Sequence, residues 1–454
     1  MSFHRRELLQ IGASSFFGLG LSGLMALRAQ AGESVRTPKV RSVVLVFLTG
    51  GGSHIDMFDP KPDSAETKGE FSPIATKTNG LYFGELMTGM AARADKLAVV
   101  RSMAHGDNRH LSGTHNILSG YEQVFRGDSN QDKSLNRVDW PCYGGAIEYF
   151  RPSPAGLPSQ VTIPNPLIEG SLVWPAQHAG FLGPKFDPFQ VKGDPNSDKF
   201  RVNDLSLLDG ISAGRLKGRW ELLNKVTEQR RSIESAGSVR QLNDYQNAAY
   251  SMLSAGKLTT AFELNQETPE TRERYGRNSK GQTLLLARRL VEVGIPFIQC
   301  NMGIVQSWDS HVDHFPRCRS QLLPPTDKGV SALIDDLDDR GLLDETLIIC
   351  VGEFGRTPTI SPLAGQKVPG RHHWAHGYTA VFAGGGVRGG QLIGATDNIG
   401  GHPVTTPFHP NDIGATVYQS LGIDPESMLE DRQGRPVPLN RGTAMDVLYT
   451  GNDA

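Results

Sequence analysis

Five short apolar runs, each closed by glycine or polar residues, punctuate the chain at 43–48, 97–100, 295–300, 347–351 and 378–383. Their length and β-branched content predict buried strands. Apolar residues at roughly helical spacing predict helices over 112–118, 218–226, 236–255, 281–293 and 328–340. Strand and helix alternate along most of the chain, so the expected fold is α/β, with a mainly parallel central sheet and helices on both faces. The stretch from about 121 to 270 reads differently. It is rich in Pro, Gly, Asp and Asn before turning helical, and it is taken as an insertion that covers the sheet edge.

Polar residues gather where the apolar runs stop. The first run leads into Gly50-Gly51-Gly52-Ser53-His54-Ile55-Asp56, and the second into Arg101 and then His105, Arg109 and His110. The third is followed by Trp308-Asp309-Ser310-His311-Val312-Asp313-His314, the fourth by Glu353, and the fifth is preceded by Arg371-His372-His373-Trp374-Ala375-His376. Loops from neighbouring parallel strands converge at the carboxyl edge of their sheet, which is where ligands bind. Imidazole together with carboxylate suits zinc or another borderline divalent ion. Asp309 and His311 flank one serine, so on an extended segment both point to the same side and reach one ion, with His373 completing the shell from the next crossover. The competing reading makes Asp309 a turn residue and leaves the histidines solvated. The glycine-rich turn at 50–52 has neither G-x-G-x-x-G nor the Gly-Lys-Ser/Thr ending, and a nucleotide loop is rejected.

The chain opens with Arg5-Arg6, an apolar segment from about 11 to 27, and Ala29-Gln30-Ala31. This predicts a twin-arginine signal peptide over 1–31 and a single domain over 32–454, with the twin-arginine translocase as export partner and a periplasmic or secreted destination. Four glycines and a short span argue against a retained membrane anchor. A formal net charge of −2 gives no global basic surface, so nucleic acid is not expected as a partner. The four cysteines form no C-x-x-C pair and are read as packing residues.

The stretches GGGSHIDMFDPKP, VVRSMAHGDNRH with LSGY, ERYGRNSKGQTLLLARRLVEVGIPF, WDSHVDHF, DLDDRGLLDETLIICVGEFGRTP, GRHHW and AGGGVRGGQLIGATD resemble the exported bacterial family catalogued as domain of unknown function 1501, within the alkaline phosphatase and sulfatase-like superfamily. His372 departs from that family's usual aspartate. The resemblance implies an alkaline phosphatase/sulfatase-like fold and one or two divalent ions, with zinc first and calcium, magnesium and manganese as alternatives. By position, Asp56 and Glu353 would serve one ion and Asp309, His311 and His373 the other, with His54, His314 and His376 in reserve. The sulfatase cysteine is absent. Ser112 or Thr114 would be the nucleophile, or water activated by the metal would attack; His110 would bind metal or accept the transferred group, and Arg101, Arg109 and Arg356 would hold a tetrahedral anion. The implied activity is metal-dependent hydrolysis of phosphate or sulfate esters of a small molecule or polysaccharide. The alternative is a non-catalytic exported binding or cell-surface assembly protein that keeps the fold.

Overall fold

The computed structural model describes residues 40–122, 137–153, 157–202, 205, 213–231, 250 and 256–451. Its centre is an eight-stranded sheet: β1 (Ser42–Phe47), β2 (Leu97–Met103), β3 (Gln160–Ile163), β4 (Phe189–Gln190), β5 (Phe297–Asn301), β6 (Thr346–Val351), β7 (Tyr378–Ala383) and β8 (Gln391–Ile393). Across the sheet the order is β8-β2-β7-β6-β1-β5-β3-β4. β1 lies in parallel register between β6, from Ser42 opposite Thr346 to Phe47 opposite Val351, and β5, from Val43 opposite Phe297 to Phe47 opposite Asn301. Only β7 runs antiparallel, against both β6 and β2. Its first residue therefore lies at the edge where its neighbours end, and this reversal carries the 371–376 segment to the carboxyl edge.

Every residue of β1 and β6 is buried, as a strand covered on both faces requires. Alternate side chains divide between two cores. Val44, Val46, Cys300, Ile348 and Cys350 pack on one face with the helices α3 (Ser279–Val293) and α4 (Leu323–Asp339). Val43, Leu45, Phe47, Leu347 and Ile349 pack on the other with α2 (His110–Ser119) and α5 (Pro410–Ser420). A four-residue helix, α1 (His54–Met57), follows β1 and is capped by the Ser53 side chain accepting from the Asp56 backbone N–H. α3 begins at the Asn278 cap and ends at Gly294, whose φ of 86° is the left-handed conformation that glycine supplies without strain.

The five strands expected from apolar runs are all present, and the helices expected at 112–118, 281–293 and 328–340 lie within or largely overlap α2, α3 and α4. The 218–226 helix falls inside Ala213–Arg231. The 236–255 helix, apart from Tyr250, and the 1–31 signal segment lie outside the described residues. The stretch taken as an insertion does more than cover the sheet: β3 and β4 come from it and form the sheet's far edge. All four cysteines are buried and free. Among the described residues no helix is long and apolar enough to cross a membrane.

Candidate metal centre

Four strand ends and one strand start meet at the carboxyl edge. β1 delivers the Gly50–Gly51 turn, β2 leads to Asn108 and His110, β5 to Asp309 and His311, and β6 to Glu353 and Arg356, while His372 and His373 precede β7. His373 is fixed by a two-residue ribbon in which it pairs with Arg356. The turn after β1 has to be glycine: Gly50 has φ 109°, and a Cβ there would lie 2.7 Å from the Asp309 nitrogen. Its backbone N–H donates to Glu353 Oε2 at 2.9 Å.

Three imidazole nitrogens converge on Asp309. Nε2 of His110 is 3.2 Å from Asp309 Oδ2, and Nε2 of His311 and of His373 are 3.0 and 3.1 Å from Oδ1. The two latter nitrogens are 3.0 Å apart. His110, Asp309 and His373 offer ligand atoms all within 4.8 Å of one another, a group that could hold a metal ion. Ligand atoms of a tetrahedral shell with bonds of ~2.0–2.1 Å are roughly 3.3 Å apart, so these spacings match the edges of such a shell.

The far sides of the rings are committed. His110 Nδ1 is 2.8 Å from Glu353 Oε1, and His373 Nδ1 donates to the Asn108 carbonyl at 2.8 Å. A carbonyl only accepts, so His373 carries its proton on Nδ1. Burial lowers the pKa of His373 despite its Asp309 contact, which leaves the ring neutral with an Nε2 lone pair facing a carboxylate oxygen. Two lone pairs at 3.1 Å repel unless a cation lies between them. This is the orientation in which an outer carboxylate or carbonyl sets a histidine to ligate metal.

The electrostatics agree. Burial pushes Asp309 up, but hydrogen bonds from His110 and His311 and the Arg356 charge outweigh it and hold the carboxyl far below its usual range. Burial opposes the His110 cation, yet Asp309 and Glu353 on either side lift it to about 9. In the ion-free chain a proton on His110 thus occupies a place that the two carboxylates reserve for positive charge.

The remaining sequence candidates lie elsewhere or do other work. Asp56 and Glu353 do not form a shared cluster. Asp56 Oδ2 accepts from Ser53 and from His314 at 2.9 Å and forms an ion pair with Arg371 at 2.8 Å, while the Glu353 oxygens face His110 and Gly50. His54 Nε2 is spent on the Gly400 carbonyl at 2.8 Å, and burial lowers its pKa. Arg101 sits with the Phe58 carbonyl and Asp59, at 2.9 and 3.2 Å. Arg356 is wholly buried and binds the carbonyls of Gly50 and Gly51 and the Asp309 carboxylate, so it fixes the turn and the loop and is not free to clamp an anion. Ser112 donates to Asp107 at 2.7 Å. Sequence reasoning missed the outer roles of Asn108 and Arg371, whose only signals were a polar residue shortly before His110 and an arginine beside the histidine pair.

Residues 40–448 match the family described as "Protein of unknown function (DUF1501)", and the chain belongs to it. No curated protein matches the sequence. Similar solved structures include Ps i-CgsB in complex with k-i-k-neocarrahexaose, 11% identical, covering 89% of this chain and 75% of that one at a TM-score of 0.39. The alkaline phosphatase from the Antarctic bacterium TAB5 is 12% identical and covers 85% of this chain and 98% of its own at a TM-score of 0.38. A protein in the alkaline phosphatase superfamily from Vibrio parahaemolyticus is 11% identical and covers 86% and 68% at 0.37.

Proposed function

We propose that this member of the DUF1501 family is an exported hydrolase of phosphate or sulfate esters, working with one divalent ion at His110, Asp309 and His373, with His311 beside them. The observation that carries the reading is the convergence of three imidazole Nε2 atoms on Asp309, with His373 Nδ1 held from behind by the Asn108 carbonyl. The nitrogen-rich donor set favours zinc over calcium or magnesium. Such an ion would supply Lewis acidity toward an ester oxygen and would lower the pKa of bound water.

The chain's own residues prepare the place. Glu353 and Asn108 fix the ring orientations, Arg356 locks Asp309 to the Gly50–Gly51 turn, and the side chains of His311 and His373, 22% and 24% exposed, form the open side toward substrate. Ser112 is committed to Asp107, which favours attack by water over a seryl intermediate. Export rests on Arg5-Arg6 and Ala29-Gln30-Ala31. Replacing both arginines with lysine should leave the precursor in the cytoplasm, and undiminished export would discard that signal.

The deciding experiment is metal analysis of the purified mature protein, followed by a panel of phosphate and sulfate esters of small molecules and polysaccharides. One zinc per chain with turnover that a chelator abolishes supports the reading; hydrolysis that survives metal removal overturns it. The commitment of Arg101, Arg356 and Ser112 to other partners favours a second reading, a non-catalytic binding or cell-surface assembly protein. Bound metal with no turnover on any ester would select it.

A further inference from the structure

The Asp56 group is a closed ring. His314 Nε2 faces the Asp56 carboxylate, which only accepts, so that nitrogen carries the proton. Burial keeps His314 below its ordinary pKa despite Asp56, and the neutral ring's Nδ1 then accepts from the Ser310 hydroxyl at 2.6 Å. Arg371 pairs with Asp56 at 2.8 Å and donates to the Thr67 carbonyl at 2.8 Å. Its backbone N–H returns to the Ser310 carbonyl at 3.3 Å and closes the circuit. Ser310, His314, Asp56 and Arg371 are 1%, 1%, 4% and 0% exposed.

Two facts decide what this ring does. Ser53, His314 and the Arg371 guanidinium crowd Asp56 Oδ2, Arg371 also faces Oδ1 at 3.5 Å, and the paired guanidinium repels an ion. The ring's members also stand beside the ligands: Ser310 separates Asp309 from His311, and Arg371 lies two residues before His373. Gly370 presses so close that a Cβ there would lie 2.2 Å from the His311 carbonyl oxygen. We infer that Asp56, His314, Ser310 and Arg371 are positioning residues that set the spacing between the two ligand-bearing segments, and that Asp56 is not itself a metal ligand. This rests on the centre proposed above.

The test uses zinc and cobalt(II) alone as probes on the full mature chain. Asp56→Asn and Ser310→Ala should each still bind one ion, with affinity about 10–100-fold weaker, the range for outer-shell changes, and with an altered cobalt visible spectrum. Tyr275→Phe, which removes a buried hydrogen bond to Asp336 in another part of the core, should change neither and controls for general loss of stability. Ser310→Ala deletes one hydroxyl, keeps the Asp56–Arg371 pair, and decides the matter where Asp56→Asn does not fold. Wild-type affinity and spectrum in a folded variant overturn the inference, as does a fall from two ions to one in Asp56→Asn. A wild-type chain that takes up no ion overturns the centre itself, a result read before any variant is made.

Discussion

Asp309 and Asp56 each follow a strand of the same sheet and each meets histidine, yet their surroundings are opposite. Around Asp309 three Nε2 atoms converge, the far ring nitrogens of His110 and His373 are held by Glu353 and Asn108, and the outer histidines are about a quarter exposed. Around Asp56 a buried arginine and a buried histidine crowd one oxygen. Carboxylate and imidazole are therefore not enough to mark a metal site. What separates the two is the countercharge: Arg371 neutralises Asp56 completely, whereas Arg356 offsets only part of the Asp309–Glu353 pair.

The largest effect expected from this contrast is at His373. His373→Ala should lose the bound ion while keeping the wild-type circular dichroism, because the ring contributes to the edge and not to either core. Unchanged metal content in that folded variant would move the centre away from these residues. Stability should respond the other way. Asp56→Ala leaves the Arg371 guanidinium buried and unpaired, a change that costs about 3–5 kcal/mol. His311→Ala, at a partly exposed position, should cost about 0–1 kcal/mol. Urea midpoints of the metal-free variants check the ranking, and equal losses would erase the distinction.

How much of this was legible in the chain follows from the same physics. β1, β6 and β7 stand out because burial on both faces demands a long, largely apolar run, and β5 does so through its Ile295-Pro296-Phe297-Ile298 lead although Gln299 and Asn301 interrupt it. β3, β4 and β8 each contain glutamine and span two to four residues, too short and too polar to show periodicity. Asp309, His373, Glu353 and His110 announced themselves as polar residues at strand ends. Their division of labour did not, since it depends on which ring nitrogen faces which neighbour. Arg371 reaches Asp56 across 315 positions, and no local spacing signals a pairing at that range.

Acid should sharpen the contrast next. Burial alone would raise the Asp56 pKa, but Arg371, His314 and Ser53 prevail and hold it below the usual carboxylate range. A carboxyl depressed in the folded state contributes stability that is present above its unfolded pKa, about 3.9, and lost as pH falls through the folded value. The metal-free wild-type chain should lose this contribution below about pH 4. Asp56→Asn, lacking the titrating group, should show a shallower acid limb in thermal melts at stepped pH. An unchanged slope would mean that Asp56 is no better paired in the folded chain than in the unfolded one.

The smallest effect is expected at Ser112, and it separates the two ways an ester could be cleaved here. The Ser112 hydroxyl donates to Asp107, which is also gripped by the Arg109 guanidinium at 2.8 Å and by the Arg109 backbone N–H at 3.0 Å. A hydroxyl committed to a carboxylate that, against the opposing effect of burial, Arg109 holds below its usual range faces only a weak base and has no reason to leave that bond. Removing it deprives Asp107 of one donor among several, on a side chain still 22% exposed, so the loss of stability should sit at the low end of the ~1.5–3 kcal/mol typical of bonds to charged groups. Turnover should stay close to wild type, and rapid-mixing assays should show no burst of alcohol product, because no seryl ester accumulates. A Ser112→Ala protein that keeps its metal and its fold but falls to the uncatalysed rate would make Ser112 the nucleophile, and the Asp107 contact a resting arrangement that substrate displaces.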